Sequence, residues 1–174
     1  MTGKEFLIAV TNSQIDLVQV LLNILAETGS PYCIADGFAA NAYAEPVVSL
    51  DLDIIVAAAN VEKVSEVAGK HGLKIEKYPH SINLSSAKSD LRIQLQMDER
   101  YQAFIPRARE KKVLGYQMKV AAIEDVLQGK IWAYQDEQRR KSKRQKDLAD
   151  ILRLVEARPE LKSTLPPSIR VQAE

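Results

Sequence analysis

Residues 52–57 read LDIIVA, with Ile54, Ile55 and Val56 adjacent. A strand wetted on one side alternates apolar and polar residues, so three successive β-branched residues demand cover on both faces. They predict an interior strand of a sheet that carries helices against it. Two aspartates, Asp51 and Asp53, stand at its entrance. Side chains two apart on a strand share a face. The two carboxylates therefore stand side by side, and like charges that close need solvent, basic neighbours or a cation.

The flanking sequence fits a mixed arrangement of strands and helices. Residues 15–27 carry Leu17, Val20, Leu21, Ile24 and Leu25 at helical spacing, with Asn12 or Ser13 as cap, and Gly29 and Pro31 end that helix. Residues 32–35 are a short buried strand. Gly37 follows it and allows a tight turn or close backbone approach, and residues 38–43 return to helical composition. A helix is predicted over 61–70, then strands over 73–77, 81–84 and 91–95. In the last of these Leu91, Ile93 and Leu95 oppose Arg92, Gln94 and Gln96. Residues 98–112 show no period, and 113–118 suit one short strand. Apolar stripes predict helices over 123–135 and 144–156. Pro159, Pro166 and Pro167 argue for a frayed tail. We expect one α+β domain with an α/β-type core over 1–158, residues 120–158 forming its C-terminal helical part, and a tail over 159–174.

Composition excludes some alternatives. Across 174 residues, 46% are hydrophobic and 27% charged, which are globular values, and the formal charge of +1 gives no global pull toward nucleic acid. A local patch remains: residues 139–146 hold six basic residues in eight. It is either a solvated helix surface or a phosphate-binding patch for RNA. Cys33 is the one cysteine and sits in an apolar run, so no intrachain disulfide forms and the thiol reads as a small buried hydrophobe. No apolar stretch is long enough to span a bilayer, which points to a reduced, cytoplasmic compartment. Zinc-ligand spacing, a Walker phosphate loop and a dinucleotide fingerprint are all missing.

For paired carboxylates on a strand, Mg²⁺ is the chemically apt partner: it takes hard oxygen ligands and completes its shell with water and phosphate. The segment IADGFAANAYAEPVVSLDLDIIV resembles the nucleotidyltransferase superfamily, and within it the minimal nucleotidyltransferases and the AbiEii-type toxin group. That family has a strand ending in Gly-Gly or Gly-Ser, a short helix, and then Asp-x-Asp leading a hydrophobic run. Gly37 matches the second residue of the glycine pair, Ser49 a small hydroxyl residue ahead of the acids, and Asp51 and Asp53 the metal-binding carboxylates. AIEDVLQGKIWAY at 122–134 is similar to the stretch whose helix presents a lysine, here Lys130. KDLADI at 146–151 is similar to a late motif that places Asp147 near that lysine, with Asp150 a weaker candidate.

The resemblance implies a mixed sheet flanked by helices, and an enzyme that moves a nucleoside monophosphate from a nucleoside triphosphate to an acceptor with Mg²⁺. Asp51, Asp53, Lys130 and Asp147 would be catalytic, Gly37, Ser49 and Lys130 would meet the nucleotide, and Asp51 and Asp53 would hold metal. RNA, protein or a small molecule are acceptors it allows, and an antitoxin-like partner follows from the toxin likeness. Two departures point instead to a nucleotidyltransferase-fold binding protein that has lost catalysis. Asp36 replaces the first glycine, and Gln94 stands where many members carry a third acid. Asp90 shares that strand face but lies about 13 Å along it, too far to substitute.

Overall fold

The computed structural model describes residues 1–174. Its elements run α1 (Gly3–Val10), α2 (Leu17–Glu27), β1 (Tyr32–Ala35), α3 (Asp36–Ala40), β2 (Asp51–Val56), α4 (Val61–Lys70), β3 (Lys74–Tyr78), β4 (Ser81–Ser86), β5 (Ser89–Gln96), α5 (Glu99–Gln102), β6 (Arg109–Val113), β7 (Tyr116–Val120), α6 (Ile123–Gln135), α7 (Lys141–Ala157) and α8 (Pro167–Arg170). The seven strands form one mixed sheet in the order β3-β4-β5-β2-β1-β7-β6. β2 lies inside it, antiparallel to β1 and parallel to β5. Leu52, Ile54, Ile55 and Val56 are all buried, as the unbroken apolar run requires. The α+β sheet flanked by helices is therefore what the periodicity predicts.

Register fixes the polar face. Asp51 pairs with Arg92 and Asp53 with Gln94 across β2 and β5, and Gln94 pairs in turn with Asn83 of β4. Because residues two apart share a face, Asp51, Asp53, Arg92, Gln94 and Asn83 line one side while Leu52, Ile54, Leu91, Ile93 and Leu95 enter the core. On the polar side, α3 packs against both α6 and α7, closing a cleft at the end of β1 and β2.

Four local expectations need correction. The cap of α2 is Asp16, whose carboxylate accepts the Gln19 N–H at 3.1 Å, rather than Asn12 or Ser13. α1 was not visible in the periodicity; a capping box between Thr2 and Glu5 starts it. Residues 109–120 form two strands, not one. They turn at Leu114 and Gly115, both at positive φ (48° and 86°), the backbone of a two-residue hairpin whose twist matches its strands. The tail is not frayed: Leu161, Leu165 and Ile169 are buried in the main core despite the three prolines.

If the tail is part of the core, Ile169→Ala should cost about 2–4 kcal/mol, the usual large-to-small penalty. Urea unfolding with tail and body melting in one transition checks it; a change below about 0.5 kcal/mol would return the tail to a loose appendage.

Candidate active site

The cleft is built around Lys130. Leu127, Ile131 and Lys130 share the inward side of α6, and the ammonium is only 4% exposed. A bare ammonium at that depth is too costly to keep. Three carboxylates compensate. Asp36 pairs with Lys130 from the start of α3, Asp147 Oδ1 lies 3.2 Å from Nζ, and Asp150 Oδ2 lies 2.8 Å from it. Burial alone would lower the lysine pKa, but the charges of Asp36, Asp150 and Asp147 outweigh it and raise it, so Lys130 stays a cation.

Gly37 was expected to allow a tight turn or a close backbone approach. The left-handed residue is instead Asp36, at φ 72°, and Gly37 lies within α3. What Gly37 contributes is absence of bulk: a Cβ there would stand 3.4 Å from Asp150 Oδ2 and 4.0 Å from Lys130 Nζ. Ser49 Oγ accepts the Asp51 N–H and donates to the Asp51 carbonyl, both at 3.1 Å, fixing the entry to β2. Both residues line the cleft.

Asp51 and Asp53 share one face but differ in state. Asp51 is held by Arg92 Nε on Oδ1 (2.7 Å) and Lys143 Nζ on Oδ2 (3.0 Å). Burial pushes its pKa up, yet the hydrogen bonds from Lys143 and Arg92 win and hold it below the ordinary value. Asp53 sits beside Asp36. Burial and then the Asp36 charge raise Asp53 well above the usual carboxylate range. Asp36 goes the other way: burial opposes its charge, but Lys130 and the hydrogen bond from Asp53 stabilise it. Asp53 therefore favours its protonated form and Asp36 its ionised form.

The basic run is not a uniform solvated surface. Arg139 turns inward to Asp147, with Nε 2.6 Å from Oδ2 and Nη2 3.3 Å from Oδ1, while Arg140 and Lys141 are exposed. Lys143, Asp147 and Asp150 lie on one side of α7 with Arg153, whose Nη2 is 2.8 Å from Asp150 Oδ1. Positions i, i+4 and i+7 share a helix face, a signal present in the sequence. Arg92, Arg139, Lys143 and Arg153 were not singled out as site residues, and each now bonds a site carboxylate. Asp90 is exposed and its N–H donates to the Thr11 carbonyl, which leaves Gln94 alone opposite Asp53. No group of three or more His, Cys, Asp or Glu side chains is placed to hold a metal. Two connected cavities result: about 200 Å³ between Ser49, Asp51 and the basic side of α7, and about 140 Å³ against Asp51, Asp53, Asn83 and Gln94.

Solved structures share this architecture. ANT(2″)-Ia in complex with adenylyl-2″-tobramycin matches with a TM-score of 0.68 at 16% identity, over 92% of this chain and 96% of that one. The chain has the nucleotidyltransferase fold. The lincosamide antibiotic adenylyltransferase LnuA, lincomycin-bound, matches at 0.57 and 13% identity over 82% and 99% of the two chains. An antigenic nucleotidyltransferase-like protein from Paracoccidioides brasiliensis matches at 0.54 and 17% identity over 91% of each. No family model matches the sequence, and no curated protein does. No helix is long and apolar enough to cross a membrane.

Because the folded state keeps the Asp53 proton above the pH where an unfolded aspartate releases it (about 3.9), it binds more protons there. Stability then falls as pH rises through that window. Asp53→Asn should remove this penalty and raise stability by roughly 0.5–2 kcal/mol near neutral pH, with the gain vanishing below about pH 4. Urea unfolding across pH checks it. A loss of stability at neutral pH would contradict the raised Asp53 pKa.

Proposed function

We propose that this chain is a nucleotidyltransferase that binds a nucleoside triphosphate and transfers its nucleoside monophosphate to an acceptor hydroxyl. The observation that carries the reading is the meeting of Asp51 and Asp53, on an inner strand, with a cleft walled by Lys130, Arg139, Lys143 and Lys146. Among the donors that face the smaller cavity, the oxygens fit one hard cation rather than two. Two carboxylates share a face, Gln94 offers a neutral amide where a third acid would stand, and the buried Asn83 Oδ1 has no hydrogen-bond partner. Asp51 and Asp53 would hold Mg²⁺, which neutralises phosphate charge and lowers the pKa of an attacking hydroxyl when bound.

The chain's own groups do the rest. Arg139, Lys143 and Lys146 receive the phosphates as charge-assisted donors, and Lys143 exchanges Asp51 for a phosphate oxygen. Asp147 orients Lys130 and Arg139 through the bonds it accepts from both. Gly37 and Ser49 border the phosphates. The acceptor oxygen attacks the α-phosphorus, the bond from that phosphorus to the β-phosphate oxygen breaks, pyrophosphate leaves, and the hydroxyl proton passes to solvent. The narrower likeness to minimal nucleotidyltransferases and AbiEii-type toxins, and with it an antitoxin-like partner, rests on the three motifs around Asp51, Lys130 and Asp147.

A second reading, a binding or partner protein without catalysis, is favoured by one arrangement: Gln94 faces Asp53 while Arg92 and Lys143 already saturate Asp51. Calorimetry separates the two. The parent should bind a triphosphate more tightly with Mg²⁺ than without, and Asp51→Asn with Asp53→Asn should erase that difference. Equal binding with and without Mg²⁺ in the parent would overturn the transferase reading. Arg139→Ala should weaken triphosphate binding by about tenfold, the worth of one charge-assisted contact.

A further inference from the structure

On the far side of Arg139 from the phosphate cleft lies a crevice of about 570 Å³, bordered by Gln96, Arg100, Tyr101, Trp132, Gln135 and Arg139. That size falls within the range of small-molecule sites, about 300–1,000 Å³. A smaller cavity of about 160 Å³ shares Gln96, Tyr101 and Arg139 with it and reaches Asp53 and Gln94. The shared lining residues set the two side by side, next to Asp53. Aromatic residues are only 6% of the chain, yet three of them meet here. Trp132 stacks on Phe104 (5.9 Å, 6°), and Tyr101 meets both edge-on at 5.4 Å. The Arg100 guanidinium lies over Trp132 and Tyr101, 5.2 and 5.6 Å from their centroids, and its side chain is 56% exposed.

We infer that this crevice receives the acceptor, and that the acceptor is the terminal nucleotide of a single-stranded polynucleotide; the assignment as acceptor rests on the transferase reading above. A guanidinium plane on an aromatic floor is a surface on which a nucleobase stacks, and it tolerates any base because each has a π face. Gln135 offers an amide donor and acceptor to a base edge, and Gln96, whose Oε1 already accepts the Met97 and Asp98 N–H groups, offers its amide N–H. Arg139, at the junction, meets the phosphate that joins the terminal nucleotide to the chain. The terminal hydroxyl is then carried toward Asp53. Arg100 is already paired with Asp98 (Nη2 3.0 Å from Oδ2) and Arg139 with Asp147 (Nε 2.6 Å from Oδ2), so what the crevice presents to a ligand is the guanidinium plane over the aromatic rings rather than unpaired charge.

Trp132 is the only tryptophan, so its emission reports from this crevice alone. Titrating the full chain with a short oligoadenylate RNA, without triphosphate or metal, should quench it saturably. Arg100→Ala should weaken the binding by about tenfold, the size of one stacking contact, and Arg100→Lys should stay weakened because it keeps charge without the plane. In Trp132→Phe, anisotropy of a labelled oligonucleotide should still show binding. Thermal melting checks that each variant is folded. Absence of saturable quenching, equal affinity in Arg100→Ala, or quenching by tobramycin in place of the oligonucleotide would overturn the inference. Because calorimetry of the triphosphate follows a different ligand at a different cavity, failure here leaves that result standing, and the reverse also holds.

Discussion

The structure of the cleft depends on one buried ion, the Lys130 ammonium. Removing a cation from water is tolerable only where opposite charges and hydrogen bonds replace the solvent. Its three carboxylates come from two places: Asp36 at the β1–α3 junction, and Asp147 and Asp150 on α7. The lysine itself belongs to α6. One group therefore ties the end of the sheet to both C-terminal helices, and any drift of α7 would strand a charge. Gly37 belongs to the same device, because the missing side chain lets α3 approach Asp150 and the lysine.

From Lys130 the electrostatics run outward in a chain. The lysine keeps Asp36 ionised, and Asp36 then forces its neighbour Asp53 to hold a proton. Asp51, two residues away on the same strand, escapes that pressure because Arg92 and Lys143 face it. Two carboxylates that look equivalent in sequence thus sit in opposite states at rest. Asp36, Asp51, Asp147 and Asp150 are met by Arg92, Lys130, Arg139, Lys143 and Arg153, while Asp53 has no ion-pair partner.

What could be read from sequence was local or periodic. The apolar run at 52–57 placed β2 inside the sheet, alternation in β5 put Arg92, Gln94 and Gln96 on the polar side, and Gln94 proved to be the register partner of Asp53. Helix α6 was bounded correctly because its apolar stripe is strong. The misses have long-range causes. Arg139 and Lys143, in a run that read as either solvated surface or phosphate-binding patch, were not tied to any acid because a charge run carries no record of the partners it will meet, and Asp51 lies 92 residues from Lys143. The β6–β7 hairpin hid because its turn has Leu114 at positive φ, a poor signal from a bulky residue. The tail was misjudged because proline forbids long helices but not single turns that bury Leu161, Leu165 and Ile169.

The division of the basic run gives the cleft a direction. Lys143 and Lys146 belong to the side walled by α7, and Arg100 to the side bordered by α5, while Arg139 alone touches both. Asp53 lies between, reached from the aromatic crevice and from the cavity shared with Asp51. A reaction that moves a phosphoryl-linked group in line needs donor and acceptor on opposite sides of the phosphorus. A site with one arginine at the seam, lysines on the α7 side and an arginine over aromatic rings on the other has two such sides without rearranging the sheet. Asp147 matters for the same reason. By accepting from Lys130 with one oxygen and from Arg139 mainly with the other, it fixes the seam to the buried ion, so the geometry between the two sides is set by the most strongly held charge in the protein.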